Sequence, residues 1–315
     1  MPALVCDICG GRLRIGEGKT AVCESCGMEH SLERMRQKYK EVKGVVHVDD
    51  AHLAENYYAL AQDAYDADNK AEAEKYCNKI IETNTDDFDT FFLKGRAVGW
   101  QTSLASPRFK EAAICFANAI NALPDKDSKK ESNTLVEDEL KSLATAFIRQ
   151  RCDCFSDDAS DRNAEGFKEN LEEVSTAIDL YEKSTGLHVN RNNVFGNVSS
   201  IVQVCMSTVS LTVLLKYDLS GTSTAYSKLV SKTDNCIDIM RRTADLCDDD
   251  DHADAKLYQQ IIDMTEALLD KNKTDQIRNR WGAYVETPRL SAKDVESRRQ
   301  AIIEMRRKIS RIKGC

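Results

Sequence analysis

Beyond residue 50 the apolar positions recur with a helical period almost to the end of the chain. Tyr57, Leu60, Ala61 and Ala64 fall 3, 1 and 3 apart. Ala73, Cys77, Ile80 and Thr85 fall 4, 3 and 5 apart, so the two sets mark the inner faces of two successive helices. Thirty-four residues after Tyr57 the series restarts, with Phe91, Lys94, Gly95 and Val98 on the first spacing and Ala112, Phe116, Ala119 and Pro124 on the second. The turn inside this second pair, around Gln101 to Pro107, is longer by five residues.

The charged stretch Asp125 to Asn133 reads as a turn-like connector, after which Leu140, Leu143, Ala144 and Phe147 repeat the first-helix spacing. A loop over Cys154 to Arg162 leads to a partner helix from about Ala164 to Lys183, with Leu171, Val174, Ile178 and Tyr181 inward. Asn192 to Leu215 carries no charge and reads as a buried central helix, although its Val and Thr content leaves a strand open. Seven of the eighteen residues from Val198 to Leu215 are Ser, Thr or Gln, which argues against a bilayer span, so no membrane partner is expected. Helices are expected over Thr224 to Leu246 and His252 to Asp270, joined by the acidic run Asp248 to Asp251. That run lacks the glycine and spaced glutamate of a calcium loop. The tail, Ser291 to Lys313, is an amphipathic helix with Val295, Ile302, Met305, Ile309 and Ile312 at heptad spacing and Arg298 interrupting the seam.

The first thirty residues follow no such period. Cys6-Asp7-Ile8-Cys9 and Cys23-Glu24-Ser25-Cys26 form two Cys-x-x-Cys pairs, each followed by glycine. A Cys-x-x-Cys turn presents both sulfurs to one ion, and two such turns place four thiolates at the corners of a tetrahedron, the arrangement of structural Zn²⁺. Leu13-Arg14-Ile15 and Thr20-Ala21-Val22 would pair as a hairpin carrying one knuckle to the other. So short a segment has too few large apolar residues to fold without the metal. Four thiolates close the coordination shell, so the expected ion is one structural zinc rather than a catalytic one, and His30, His47 and His52 are not needed as ligands. On these residues the segment resembles a zinc ribbon. A helix over Leu32 to Lys43, with Ser31 as its N-cap, and an extended link at Val45 to Val48 would follow it. Gly18-Lys19-Thr20 is not the end of a phosphate loop, because the first glycine of that motif would have to stand at Leu13.

The paired series from Tyr57 to Pro124 resembles the tetratricopeptide repeat (TPR), in which large and small residues of one helix lock against small and large residues of the next. Lys94, Ile80 and Thr85 depart from that pattern. The resemblance implies that the first helix of each pair lines a concave groove. It places Glu55, Tyr58, Gln62, Tyr65 and Asp66 there from the first copy, and Asp89, Phe92, Arg96, Gly99 and Trp100 from the second. Tyr58, Gln62, Tyr65, Phe92, Arg96 and Trp100 are the candidate contacts for a peptide or protein partner. The basic clamp that family members use for chaperone tails is not matched, since Arg96 stands alone. The combined layout is similar to bacterial proteins that join an N-terminal zinc ribbon to tetratricopeptide-like repeats.

Composition and charge narrow the picture further. Only four prolines and fourteen glycines punctuate 315 residues, as suits a mostly α-helical body. The formal net charge of −8 is unevenly spread. Basic and acidic residues number 8 against 8 over Met1–Asp50, 25 against 40 over Ala51–Ile277, and 11 against 4 over Arg278–Cys315. The middle therefore repels nucleic acid, and only the ribbon or the basic tail could attract it. Twelve cysteines with no framework spacing beyond the two knuckles, and no leader before Cys6, suit a cytoplasmic protein. Cys152-Asp153-Cys154 has too short a spacing to chelate. No nucleophile elbow, phosphate loop or His-Glu-x-x-His motif occurs, so no enzyme is expected. The expected layout is a zinc ribbon over 1–30, a linker over 31–50, two TPR-like hairpins over 51–125, and an all-helical region with decayed repeats and a basic tail helix over 126–315.

Overall fold

The helical period is realised as ten helices among the described residues of the computed structural model, which are 12–15, 20–31, 50–82, 87–218, 223–247, 252–278 and 280–314. They are α1 (Asp50–Asp66), α2 (Lys70–Glu82), α3 (Phe88–Gly99), α4 (Phe109–Ala122) and α5 (Lys126–Asp157). Then come α6 (Asp161–Thr185), α7 (Arg191–Asp218), α8 (Ser223–Ala244), α9 (His252–Asp270) and α10 (Ala292–Ile312). Consecutive helices pack as five pairs, α1 with α2 through to α9 with α10. Successive pairs also meet like with like: α1 touches α3, α3 touches α5, α5 touches α7 and α7 touches α9, while α4 touches α6 and α6 touches α8. The odd-numbered helices thus form a continuous run from α1 to α9, with α4, α6 and α8 stacked in sequence beside it and α2 packed against α1 and α3.

Local chemistry sets the helix ends. Asp87 caps α3, its Oδ1 accepting the Thr90 N–H at 2.8 Å. Asp125 caps α5 by accepting from Asp127 N and Ser128 N at 3.0 and 2.8 Å. That cap overturns the connector expected over Asp125 to Asn133: an N-cap aspartate followed by good helix formers starts the helix at Lys126, one turn-like residue after Pro124. The loop expected over Cys154 to Arg162 shrinks to 158–160 for the same reason, with Ser160 capping α6. Gly186, at φ +69°, ends α6 in the left-handed conformation.

A continuous core runs from α3 to α10 through Phe109, Phe116, Phe147, Phe155, Phe167, Leu171, Ile178, Tyr181 and Phe195. Each such side chain contributes roughly 1.5–3 kcal/mol on burial. A smaller cluster joins Ala61, Ala64, Tyr65, Ala73 and Cys77 of the first pair to Leu93 and Ala97 of α3. Leu60, expected inward, is exposed, because Ala54, Ala61, Ala64 and Tyr65 form the face that meets the neighbouring helices. At Gly95 an added Cβ would come within 2.5 Å of the Phe116 ring, so the glycine lets α3 and α4 close on each other.

α7 is a helix throughout, not the strand its Val and Thr content left open, and by length and composition it could cross a membrane. Here it packs against α5, α8 and α9, burying Val194, Val198, Val202, Met206, Val209 and Val213 while Val204, Leu211 and Leu215 are exposed. Arg298 does not merely interrupt the α10 seam: both its terminal nitrogens donate to the Asp234 carboxylate of α8 at 2.7 Å.

Two small sheets complete the fold. β1 (Leu13–Ile15), β2 (Thr20–Cys23) and β3 (Glu29–Ser31) form an antiparallel sheet in that order, with Leu13 opposite Cys23 and Thr20 opposite Ser31. The expected β1–β2 hairpin is present, and β3 is added to it. Ser31 lies in β3, and the helix it was expected to cap lies outside the described residues, as do the link at Val45 to Val48 and the acidic run Asp248 to Asp251. Between α9 and α10 stands a hairpin that the apolar pattern did not announce, β4 (Thr274–Arg278) with β5 (Tyr284–Pro288). Gly282, at φ +80°, turns it.

Candidate functional site

Two places carry the residues singled out above: the second cysteine knuckle, and the face where α1, α3 and α5 meet.

At the knuckle, Cys23 ends β2 with its side chain buried, and Cys26 lies exposed in the turn that follows. The Ser25 N–H points at Cys23 Sγ at 3.4 Å, and Gly27 takes φ +72° while its N–H donates to Cys23 O at 2.9 Å. The Cys23 N–H in turn donates to Met28 O at 3.0 Å, closing the turn. A backbone N–H aimed at sulfur stabilises a thiolate, and a left-handed glycine right after Cys26 lets the chain turn back without a side chain in the way. Both features fit a metal-ligating knuckle. Cys6 and Cys9, the other two expected ligands, lie outside the described residues. Among the described residues no group of three or more His, Cys, Asp or Glu side chains comes together as a further metal site.

On the helical face, two of the six expected contact residues, Arg96 and Trp100, meet at the Glu139 carboxylate, and a third, Tyr65, lies under the Arg96 guanidinium. The Arg96 guanidinium lies over the Tyr65 ring, 4.5 Å from its centroid, and Arg96 Nε is 3.3 Å from Glu139 Oε2 of α5. Trp100 Nε1 donates to Glu139 Oε1 at 2.8 Å. Lys70 Nζ covers the Tyr65 ring at 3.4 Å from its centroid and donates to Tyr65 O at 2.7 Å. Burial raises the Tyr65 phenol, with the neighbouring Arg96 charge opposing it. The result is a cluster spanning α1, α3 and α5, with Trp100 left 41% exposed at its edge. Gly99 lets this happen: a Cβ there would meet Leu143 at 2.5 Å, so α3 lies close against α5 at the cluster.

The remaining three residues fall elsewhere. Gln62 and Tyr58 lie about one and two turns before Tyr65 on α1, where Gln62 Nε2 donates to the Tyr58 hydroxyl at 3.2 Å. The Tyr58 phenol is raised by burial and then by Asp89 and Asp87, which places it beside the start of α3. Phe92 turns towards α4, stacked on Phe88 at 5.3 Å and tilted against Phe116 at 5.6 Å. Glu139, the residue that ties the cluster together, was not anticipated; one acid in the run Glu137-Asp138-Glu139 gives no sequence signal that it faces inward.

The loop between α3 and α4 is fixed to α2 by a second polar group. Arg108 donates through both terminal nitrogens to Glu74, at 2.9 and 2.8 Å, and Gln101 Nε2 donates to Glu74 Oε2 at 2.7 Å. The hydrogen bonds from Arg108 hold the Glu74 carboxyl below the usual range. On the tail, Arg306 pairs with Glu266 at 2.6 Å and Lys308 lies over Tyr258, so part of the basic face is spent within the chain.

No protein-family model matches the chain, and no curated protein matches it significantly. Among solved structures, one described as a computational design of self-assembling cyclic protein homo-oligomers is similar at 16% identity, over 86% of this chain and 97% of that one. Its TM-score of 0.29 is too low to carry an argument about the fold.

Proposed function

We propose that the chain is a non-enzymatic, cytoplasmic protein-interaction scaffold in which a zinc ribbon precedes tetratricopeptide-like helical pairs that hold a peptide or protein partner. The observation that carries this reading is the cluster Tyr65–Arg96–Glu139–Trp100. It joins α1, α3 and α5 and leaves Trp100 partly exposed. A preorganised aromatic edge beside fixed charges costs little ordering entropy on binding and is typical of residues that dominate protein interfaces. The close Gly95–Phe116 packing supports the repeat resemblance, since the small residue sits where the family needs one. The turn at Cys23 to Gly27 supports the ribbon, with Cys6, Cys9, Cys23 and Cys26 as the residues that would hold Zn²⁺. Such a metal supplies folding energy to the N-terminal module rather than chemistry.

The test is capture from lysate of the source cells on immobilised full-length protein, beside a Trp100→Ala variant, with and without nuclease. A protein retained at high salt, insensitive to nuclease and lost on Trp100→Ala is the expected result. Nucleic acid that elutes with salt and is indifferent to Trp100→Ala would contradict it.

That second outcome has one feature in its favour. The β4–β5 hairpin exposes Trp281 and Tyr284, with Arg278 and Arg280 beside them and the Arg280 guanidinium 5.0 Å from the Trp281 ring centroid. Aromatic faces interleaved with arginine suit single-stranded nucleic acid. A nucleic-acid reading would therefore centre on this hairpin rather than on the tail helix, whose Arg298 and Arg306 are already paired.

A further inference from the structure

A two-stranded hairpin has no core of its own, so β4 and β5 must owe their composition to something other than packing. The half joined to α9 and α10 spends its polar groups within the chain. Arg289 Nε donates to Asp275 Oδ1 at 3.1 Å, and the Leu290 N–H donates to Asn272 Oδ1 at 2.9 Å. The outer half is different. Between Asp275 and Glu286 the chain has two arginines, Arg278 and Arg280, and no acid. Over the same stretch Ile277 is 53% exposed, Trp281 79%, Tyr284 70% and Val285 46%. Single exposed apolar side chains are ordinary, but four so close together form a patch.

The strand register sorts them. Residues directly opposite on paired strands share a face, and successive residues alternate between faces. Ile277 opposite Val285 is therefore an aliphatic pair on one face, and Arg278 opposite Tyr284 lies on the other. Trp281 stands in the turn beyond both pairs, with the Arg280 guanidinium 5.0 Å from its ring centroid.

Two positive charges without a negative one, on a chain of net charge −8, select an anionic partner. The aliphatic pair then decides which kind. Single-stranded nucleic acid would stack on open aromatic faces, but Arg280 already lies over the Trp281 ring and Arg278 Nε is turned back to Gly282 O at 3.2 Å. Bases also make no use of Ile277 and Val285. An anionic bilayer uses every member of the patch, with the aromatic rings at the level of the headgroups, the aliphatic pair against the upper acyl chains and the arginines at the lipid phosphates. The dimensions agree: about three residues from Ile277 to the turn, at about 3.4 Å each, give about 10 Å, and interfacial elements bury about 5–10 Å.

We propose that the outer half of the β4–β5 hairpin is a membrane-surface anchor, which inserts Ile277, Trp281, Tyr284 and Val285 into the interface of an anionic bilayer and sets Arg278 and Arg280 against its phosphates. The contact is peripheral and involves no span, so the uncharged helix α7 has no part in it. It goes beyond the scaffold reading and does not rest on it, because none of these residues belongs to the Tyr65–Arg96–Glu139–Trp100 cluster.

The test mixes full-length protein with vesicles of phosphatidylcholine and phosphatidylglycerol in equal parts, or of phosphatidylcholine alone, and follows sedimentation with the vesicles. Trp100→Phe leaves Trp281 as the single tryptophan, so its emission reports the hairpin. The expected result is binding to the anionic vesicles that weakens with salt, with a blue shift of Trp281 emission and quenching by brominated acyl chains. Arg278→Gln with Arg280→Gln should weaken binding roughly fivefold per arginine removed. Ile277→Ser with Val285→Ser keeps every charge and should weaken it by roughly tenfold or more. Helical circular dichroism should be unchanged in both, since the hairpin exposes both its faces. The proposal fails if folded wild-type protein stays in solution beside anionic vesicles, or if Trp281 emission does not shift. It fails if both hairpin variants bind as the wild type does, which would put the contact on α7 or α10. It fails equally if a single-stranded oligonucleotide quenches Trp281 and displaces the vesicles, which would assign the hairpin to nucleic acid.

Discussion

Two glycines in helices have opposite roles. Gly95 faces the Phe116 ring, so Gly95→Ala adds a methyl where no space exists. Overpacking of this kind costs about 1–3 kcal/mol, more than the gain of up to about 1 kcal/mol in helix propensity. Gly196 on α7 has nothing within 4 Å of its would-be Cβ, and Gly196→Ala should stabilise by about 0.5–1 kcal/mol. Urea unfolding of the two variants should move the midpoint in opposite directions; parallel shifts would contradict the α3–α4 contact. A buried polar pair gives a similar test, because the Tyr181 hydroxyl donates to Asn133 Oδ1 at 2.7 Å and Asn133 Nδ2 donates to His188 O at 3.1 Å. Tyr181→Phe leaves Asn133 Oδ1 without its donor in the core and should cost about 1–3 kcal/mol. Glu74 makes one contribution dependent on pH. Its carboxyl is depressed in the fold, so the stability it adds is complete above the ordinary glutamate value near about 4.3. That contribution is lost as pH falls through the lower folded value. Glu74→Gln should flatten that acid limb of the unfolding curve, and an unchanged limb would mean that Arg108 does not hold Glu74 in solution. At this scale the sequence was informative where a residue type has few uses. Gly95 allows the close α3–α4 approach and Gly27 takes the left-handed turn, as their residue type suggests. Glu139 and Arg298 gave no such signal, because a charge on a helix reads as solvated until its partner on another helix is known.

Among elements, α10 is held by more than its apolar seam. Arg298 reaches across to Asp234 with two hydrogen bonds, a geometry that fixes the rotation of α10 against α8. Arg298→Ala is expected to cost about 1–3 kcal/mol and to make the chain after Leu290 the first site cut by trypsin under native conditions. Unchanged cleavage would show that Ile302, Met305 and Ile309 suffice. Helix boundaries were largely legible from period and caps: α9 begins and ends where expected, and Ser291 caps α10. The start of α5 was missed because Asp125 to Asn133 is polar and looked like a connector. Its inner residue, Asn133, is buried through hydrogen bonds rather than through apolar surface. The β4–β5 hairpin escaped because both its faces are exposed, so it has no apolar alternation. Its base is anchored instead by Arg289 to Asp275 and by Leu290 N–H to Asn272 Oδ1 at 2.9 Å.

For the whole molecule, the pairwise packing of α1 with α2 and α3 with α4 is part of a longer order. The same consecutive pairing continues through α5 with α6, α7 with α8 and α9 with α10. The N-terminal sheet has a different basis. Its strands are three to four residues long, and on the proposed reading a metal held by Cys6, Cys9, Cys23 and Cys26 would stabilise it. The most direct test is the zinc content of protein purified under reducing conditions, beside a Cys6→Ser/Cys23→Ser double variant, with helical circular dichroism followed in both. One zinc per chain, lost in the variant while the helical signal is kept, is the expected result. No zinc in well-folded wild-type protein, or zinc that survives the double substitution, would contradict it.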